Sequence, residues 1–185
     1  IDILMLGGLR GVEAAGVYVP VSRGAGLIVF GLMAVVSALA PVQASLFAEG
    51  KRQELQRLMT KSTGGVLLVS LLIAIPLIFF GYWYLLLFGS EFTQGQTALT
   101  ILCLGQVAAS VTGLAGSLLN MTGYERFTLI SVGVGCGLNT LLNAVLLPTW
   151  GVEGAAIATS IGVLLGNLIN VMWMSKKLGI YLKIW

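Results

Sequence analysis

The chain has 185 residues, 57% of them hydrophobic and only 9% charged, with 25 glycines and a formal net charge of +3. It has no histidine and two isolated cysteines, Cys103 and Cys136, both inside apolar runs, so neither a Cys/His zinc centre nor a Cys/His nucleophile can be assembled from it. Between Lys61 and Lys176 the only formal charges are Glu91, Glu125, Arg126 and Glu153, each in a short polar break between apolar stretches of roughly 20 residues, the length that crosses a bilayer core as helix. The pattern predicts an all-α, polytopic membrane helical bundle, because runs this long and uniformly apolar do not suit barrel strands.

In chain order, residues 1–9 read as the last turns of a first helix, closed by the polar turn around Arg10 and Glu13. The first residues are apolar with neither an initiator Met nor a basic leader region, which predicts a piece of a longer chain starting inside a helix. A second helix is expected over 16–48, with Pro20 and Pro41 near its ends where bending absorbs the excess length. A third covers 63–88, with Pro76 inside it and Tyr82, Trp83 and Tyr84 at the level of the headgroups. The others are expected at 97–120, 128–147 and 152–174, giving five complete helices and a remnant. Residues 49–61, with Leu55, Leu58 and Met59 on one face, fit a short amphipathic connector lying on the membrane.

Loops assigned to alternating sides place Lys51, Arg52, Arg57, Lys61, Arg126, Lys176, Lys177 and Lys183 together, against Arg10 on the other side. By the positive-inside rule the first side, with the C-terminus, is cytoplasmic. Gly-Val-Glu-Ala-Ala-Gly at 11–16 and Gly-Val-Glu-Gly-Ala-Ala at 151–156 both occupy an outer turn leading into a descending helix, the mark of a duplicated hairpin.

Polar groups at membrane depth carry the functional reading, since an ionisable residue there needs a partner or a wet cavity. Asp2 lies eight residues before Arg10, roughly 12 Å into the membrane at helical rise, and Arg23 lies at a comparable depth on the next helix. A structural Asp2–Arg23 ion pair is one account of both. Asn139 and Asn143, four apart on one helix face, and Thr159 fall within about two turns of the depth of Asp2. One carboxylate with amide and hydroxyl oxygens suits a Na⁺ or proton-linked site; from spacing alone, interhelical hydrogen bonding is the simpler account. Ala109, Gly113 and Ser117, Gly133 and Gly137, and Gly162 and Gly166 are small residues four apart, suited to close helix packing. Gln106, Asn167 and Asn170 fit either a cavity lining or bridges between helices.

The stretch Leu118-Leu-Asn-Met-Thr-Gly-Tyr-Glu-Arg and the run from Leu138 to Thr159, with its Asn-x3-Asn-x4-Pro-x2-Gly-x2-Gly-Ala-Ala-x-Ala-Thr pattern, resemble the C-terminal half of polysaccharide flippases of the MOP superfamily. The segment from Asp2 to Tyr18 resembles that family's seventh helix and outer turn, and 49–61 its cytoplasmic connector. The resemblance implies that residues 1–185 form one six-helix lobe of a two-lobe transporter whose cavity opens alternately to either membrane face. The expected substrate is undecaprenyl-diphosphate-linked oligosaccharide, moved across a bacterial inner membrane. It further implies a coupling site for Na⁺ or H⁺ at Asp2, Asn139, Asn143 and Thr159, where Asn143 replaces an acidic residue of some relatives. Arg23 would be the substrate-binding arginine, gripping diphosphate oxygens through paired hydrogen bonds; Arg10, at the interface, is free to reach water. The implied partners are the lipid-linked oligosaccharide, membrane lipids and the N-terminal lobe of the same chain; no nucleic acid, resident cofactor or covalent chemistry is expected. The rival readings are a cation-coupled multidrug exporter of the same fold, a polyprenyl-phosphate glycosyltransferase, for which the separated Glu49, Glu54 and Glu125 are a poor acidic cluster, and a scaffold lobe without transport of its own.

Overall fold

The computed structural model describes residues 1–182, and among these every regular element is helical. Helix α1 spans Asp2–Arg10, α2 Val12–Ala48, α3 Arg52–Phe79 and α4 Gly81–Leu86; after a 3-10 turn at Ser90–Gly95 come α5, Gln96–Met121, and α6, Glu125–Leu178. The last is a hairpin. Gly151 (φ 53°, ψ −127°) breaks its helical backbone, and the two arms return along each other: Gly154 lies against the Leu146 carbonyl, Gly162 against Asn139, and Gly166 against the Ser131 carbonyl. Four elements are long and apolar enough to cross a membrane, and because α6 reverses at Gly151 they make five passes, with α1 as a partial sixth.

Backbone approach sets the packing. A Cβ on Gly135 would fall 2.7 Å from the Gly162 carbonyl, and one on Gly162 would fall 2.8 Å from both the Gly135 carbonyl and Asn139 Cβ. The stripe Ser131, Gly135, Asn139, Asn143, Leu147 thus forms the inner face of the first arm. The small residues expected at this contact were Gly133 and Gly137; nothing lies within 4 Å of either. A spacing of four is common to every face of a helix, and the contact face, two positions along, lies about 200° round from theirs. Gly162 and Gly166 pack as expected, Gly113 sits under Leu32, and Ser117 donates to Gln43 Oε1 across 3.0 Å.

The apolar core has two layers. One is built around Leu6, Tyr18, Ile28, Leu85, Leu99 and Leu147, the other around Leu55, Met59, Leu114, Leu118 and Met174. The second layer corrects the connector. Residues 52–61 are the opening turns of α3, continuous to Phe79, with Leu55 and Met59 fully buried. An interfacial helix and the charged end of a spanning helix share the same amphipathic pattern, and here the turn at Gly50 aims the chain straight back into the bundle. The third helix therefore starts eleven residues earlier than expected and breaks at Phe80, past Pro76. Tyr82 and Trp83 remain exposed as an aromatic belt requires, while Tyr84 turns inward and donates to the Pro20 carbonyl at 3.1 Å.

The echo between residues 11–16 and 151–156 has a structural counterpart. Gly11 (φ 92°) and Gly151 (φ 53°) are both in backbone regions that side chains disfavour, and each reverses the chain into a helix at the same end of the bundle. The basic residues Lys51, Arg52, Arg57, Lys61, Arg126, Lys176 and Lys177 belong to the opposite end; Lys183 lies outside the described residues.

Candidate functional site

Asp2, Asn139, Asn143 and Thr159 come together between α1 and the two arms of α6. Thr159 Oγ1 donates to Asp2 Oδ2 at 2.7 Å and Asn143 Nδ2 donates to Asp2 Oδ1 at 2.7 Å. Asn143 Nδ2 also reaches Asn139 Oδ1 at 3.1 Å, and Asn139 Nδ2 donates to Thr159 Oγ1 at 3.2 Å. All four expected residues are therefore in one connected cluster. A fifth joins them. The Tyr18 hydroxyl of α2 lies 3.4 Å from Asp2 Oδ2 and 3.3 Å from Thr159 Oγ1.

The two hairpin glycines set this geometry. Asp2 precedes Gly11 by nine residues and Tyr18 follows it by seven; Asn143 precedes Gly151 by eight and Thr159 follows it by eight. Similar distances from two turns at the same end give similar depth, roughly 10–14 Å along the helices. Tyr18 was legible by that count, but an aromatic residue in an apolar run reads as core, which its ring also is, at 2% exposure.

Asp2 makes no ion pair: among the described residues the single salt bridge is Lys51–Glu49, exposed at the far end. The expected alternative of an Asp2–Arg23 pair is thus not formed. The two residues differ in depth and in direction, because α2 starts at Val12 and so puts Arg23 twelve residues from Gly11 against nine for Asp2, and Arg23 is exposed. The groups that reach Asp2 are all neutral, and a carboxyl group at membrane depth calls for a cation or a proton to balance it. Asn143 is fully buried and its Oδ1 has no hydrogen-bond partner, so one amide oxygen is left over in the same cluster. The donor set of one carboxylate, two amides and two hydroxyls is the hard-oxygen chemistry of a monovalent cation. A cavity of about 320 Å³ opens beside it, lined by Asp2, Asn139 and Thr159 and, further along, by Asn167 and Asn170. Asn167 itself bridges to the Ala109 carbonyl at 3.0 Å.

Arg23 stands on a stripe of α2 that is otherwise apolar and exposed, with Leu27, Phe30 and Met33. A guanidinium on a lipid-facing stripe at this depth would be expensive; the stripe suits a polar cavity or a charged partner. Arg10 is exposed, as expected of an interfacial residue, and it is also committed: its Nε donates to the Leu147 carbonyl and its Nη2 to the Pro148 carbonyl, each at 2.8 Å. Those carbonyls end the first arm of α6, where Gly151 interrupts the ladder, so Arg10 caps that arm from the neighbouring hairpin. Gln43 also went unremarked in the sequence. It is fully buried, receives the Ser117 hydroxyl and directs its amide at the Met59 sulfur at 3.5 Å, tying α2, α3 and α5 together.

The MatE family model matches residues 1–145, most of the chain and all of the bundle up to the site's second asparagine. The chain belongs to the MatE family. It is 27% identical over 189 aligned positions to a probable low-salt glycan biosynthesis flippase, Agl15, of Haloferax volcanii, covering 97% of this chain and 38% of that protein. To the probable flippase AglR of the same organism it is 28% identical, with 95% and 38% covered. A 97-residue stretch, 49% of this chain and 18% of the relative, is 32% identical to the uncharacterized membrane protein YabM of Bacillus subtilis. In fold, this MatE chain superposes over its whole length on 43% of an inward-facing multidrug resistance MATE transporter of the MOP superfamily, with a TM-score of 0.78 at 20% identity. It thus spans about two fifths of the length of those two flippases.

Proposed function

We propose that this MatE bundle is one lobe of a flippase that carries undecaprenyl-diphosphate-linked oligosaccharide across a bacterial inner membrane by alternating access, with Na⁺ or H⁺ as the coupling ion. The observation that carries the reading is the pair of opposite, unmatched charges. Asp2 is held only by neutral groups inside the bundle, and Arg23 stands exposed on an apolar stripe. Each needs a mobile counter-charge: a small cation for the carboxylate, an anionic headgroup for the guanidinium. A diphosphate fits the second, because Arg offers paired donors to its oxygens and keeps its charge at any relevant pH. The relatives named as flippases support the substrate class. The second lobe, supplied by the rest of a longer chain, would complete the cavity.

The test is reconstitution of the full-length parent protein in liposomes, following leaflet-to-leaflet movement of a fluorescent undecaprenyl-diphosphate oligosaccharide with and without a Na⁺ or proton gradient. Gradient-driven movement that Arg23→Ala abolishes is the expected result. Efflux of cationic dyes with no lipid movement would instead establish the multidrug exporter reading, which the fold match also accommodates.

A further inference from the structure

We infer that Tyr18 is the positioning residue through which occupancy of the Asp2 cluster sets the placement of Arg23. The inference rests on the reading above of Asp2 as the cation site and of Arg23 as the headgroup ligand, and it adds the connection between them. Tyr18 is the residue of α2 whose side chain enters the cluster, and it does so with one hydroxyl shared between Asp2 Oδ2 and Thr159 Oγ1. Asp2 Oδ2 already accepts the Thr159 proton at 2.7 Å. A cation on that oxygen takes the place of the donated protons, so the Tyr18 hydroxyl must turn from donor toward Asp2 to oxygen ligand of the cation, or withdraw. The ring has little room to absorb the change alone, being 2% exposed in the core layer that also holds Leu6 and Leu147. The displacement passes to the α2 backbone.

The helix is weakest just beyond that point. Pro20, two residues on, has no N–H to return to the Gly16 carbonyl, which opens one rung of the ladder. The Pro20 carbonyl is meanwhile engaged by the Tyr84 hydroxyl at 3.1 Å, and a Cβ on Gly24 would fall 2.9 Å from the Tyr84 ring. Tyr84 therefore serves as a fulcrum against which the part of α2 past Pro20 pivots. Arg23 is three residues past that opening, on the exposed face. A small rotation at Tyr18 is converted into a lateral shift of the guanidinium, and by reciprocity a headgroup held by Arg23 biases the cluster toward or away from its ion.

The experiment measures binding of undecaprenyl diphosphate to the full-length parent protein in nanodiscs. NaCl replaces choline chloride at constant ionic strength, and the measurement is repeated at two pH values in the absence of Na⁺. The expected result is that ion occupancy changes the parent's affinity within the range usual for coupled sites, about 5- to 150-fold. In Tyr18→Phe, which keeps the ring and removes the hydroxyl, the ratio falls to within about twofold of unity. A Tyr18→Phe protein that keeps the parent's ratio overturns the inference and leaves the flippase reading standing; a parent with no linkage to either ion overturns both. Pro20→Ala, with the cluster intact and the ladder closed, should also lower the ratio, and an unchanged ratio there would rule out the pivot.

Discussion

At the scale of single residues, the site is defined by a surplus. Asp2 has only neutral hydrogen-bond partners, and Asn143 has one carbonyl oxygen more than its neighbours use. Asp2→Asn removes the charge and keeps the shape, so translocation by the full-length protein should persist down a substrate gradient but lose its response to a Na⁺ or proton gradient; liposome flux under imposed gradients checks this. Asn143→Asp adds a second carboxylate beside the first. Since oxygen-site affinity is tuned by ligand charge, Na⁺ should bind on the order of tenfold more tightly, equivalent to about 1.4 kcal/mol. Calorimetric titration of the purified variant would show it, and weaker binding would exclude a cation site at this position. The four expected members of the cluster were legible because depth is counted along a helix from its turns. The direction of a side chain around the helix is not, and that is why Arg23 was open to pairing with Asp2 and why the commitment of Arg10 to two carbonyls was out of sight.

At the scale of elements, the α6 hairpin is a glycine-lined contact whose tolerance is position-specific. Gly135→Ala places a methyl 2.7 Å from the Gly162 carbonyl and must part the arms. A loss of about 1–3 kcal/mol is expected, along with a loosened Asn139–Thr159 contact. Gly133→Ala, with open space around it, should be neutral or slightly stabilising through helix propensity. Thermal unfolding in detergent separates the two, and equal effects would contradict the packing face assigned here. The start of α3 supplies a second check. Leu55→Ala should cost about 2–5 kcal/mol because it empties a buried site, whereas on an interfacial connector the same change would leave bundle stability nearly untouched. The amphipathic pattern of residues 52–61 could not decide between these, since both arrangements want apolar residues on one face and basic ones at the aqueous end.

For the molecule as a whole, the uneven spread of basic residues leads us to propose an orientation with the basic end cytoplasmic. One end of the bundle carries Lys51, Arg52, Arg57, Lys61, Arg126, Lys176 and Lys177, while at the other Arg10 is bonded to carbonyls in the company of Glu13, Glu91 and Glu153. A membrane-impermeant thiol reagent added outside intact cells should therefore label a cysteine placed at Gly89 and spare one placed at Gly123; the reverse pattern would invert the topology. The six-helix plan itself was readable because every polar break coincides with a turn, and the extent of α3 was not, because its first turns lie beyond the apolar run.

The matched distances from Gly11 and Gly151 have a practical corollary for anyone recombining such chains. Each hairpin works as a cassette with its own zero mark. Two cassettes taken from different homologues should keep their polar partners level if the residue count from each glycine is preserved, along with the close contact of Gly154 inside its own hairpin and the bonds of Arg10 between the two. A single inserted residue between Asp2 and Gly11 would swing the carboxylate about 100° around its helix and dismantle the cluster, while a much longer insertion at the inner turns, around Gly50 or Gly123, would leave the register intact.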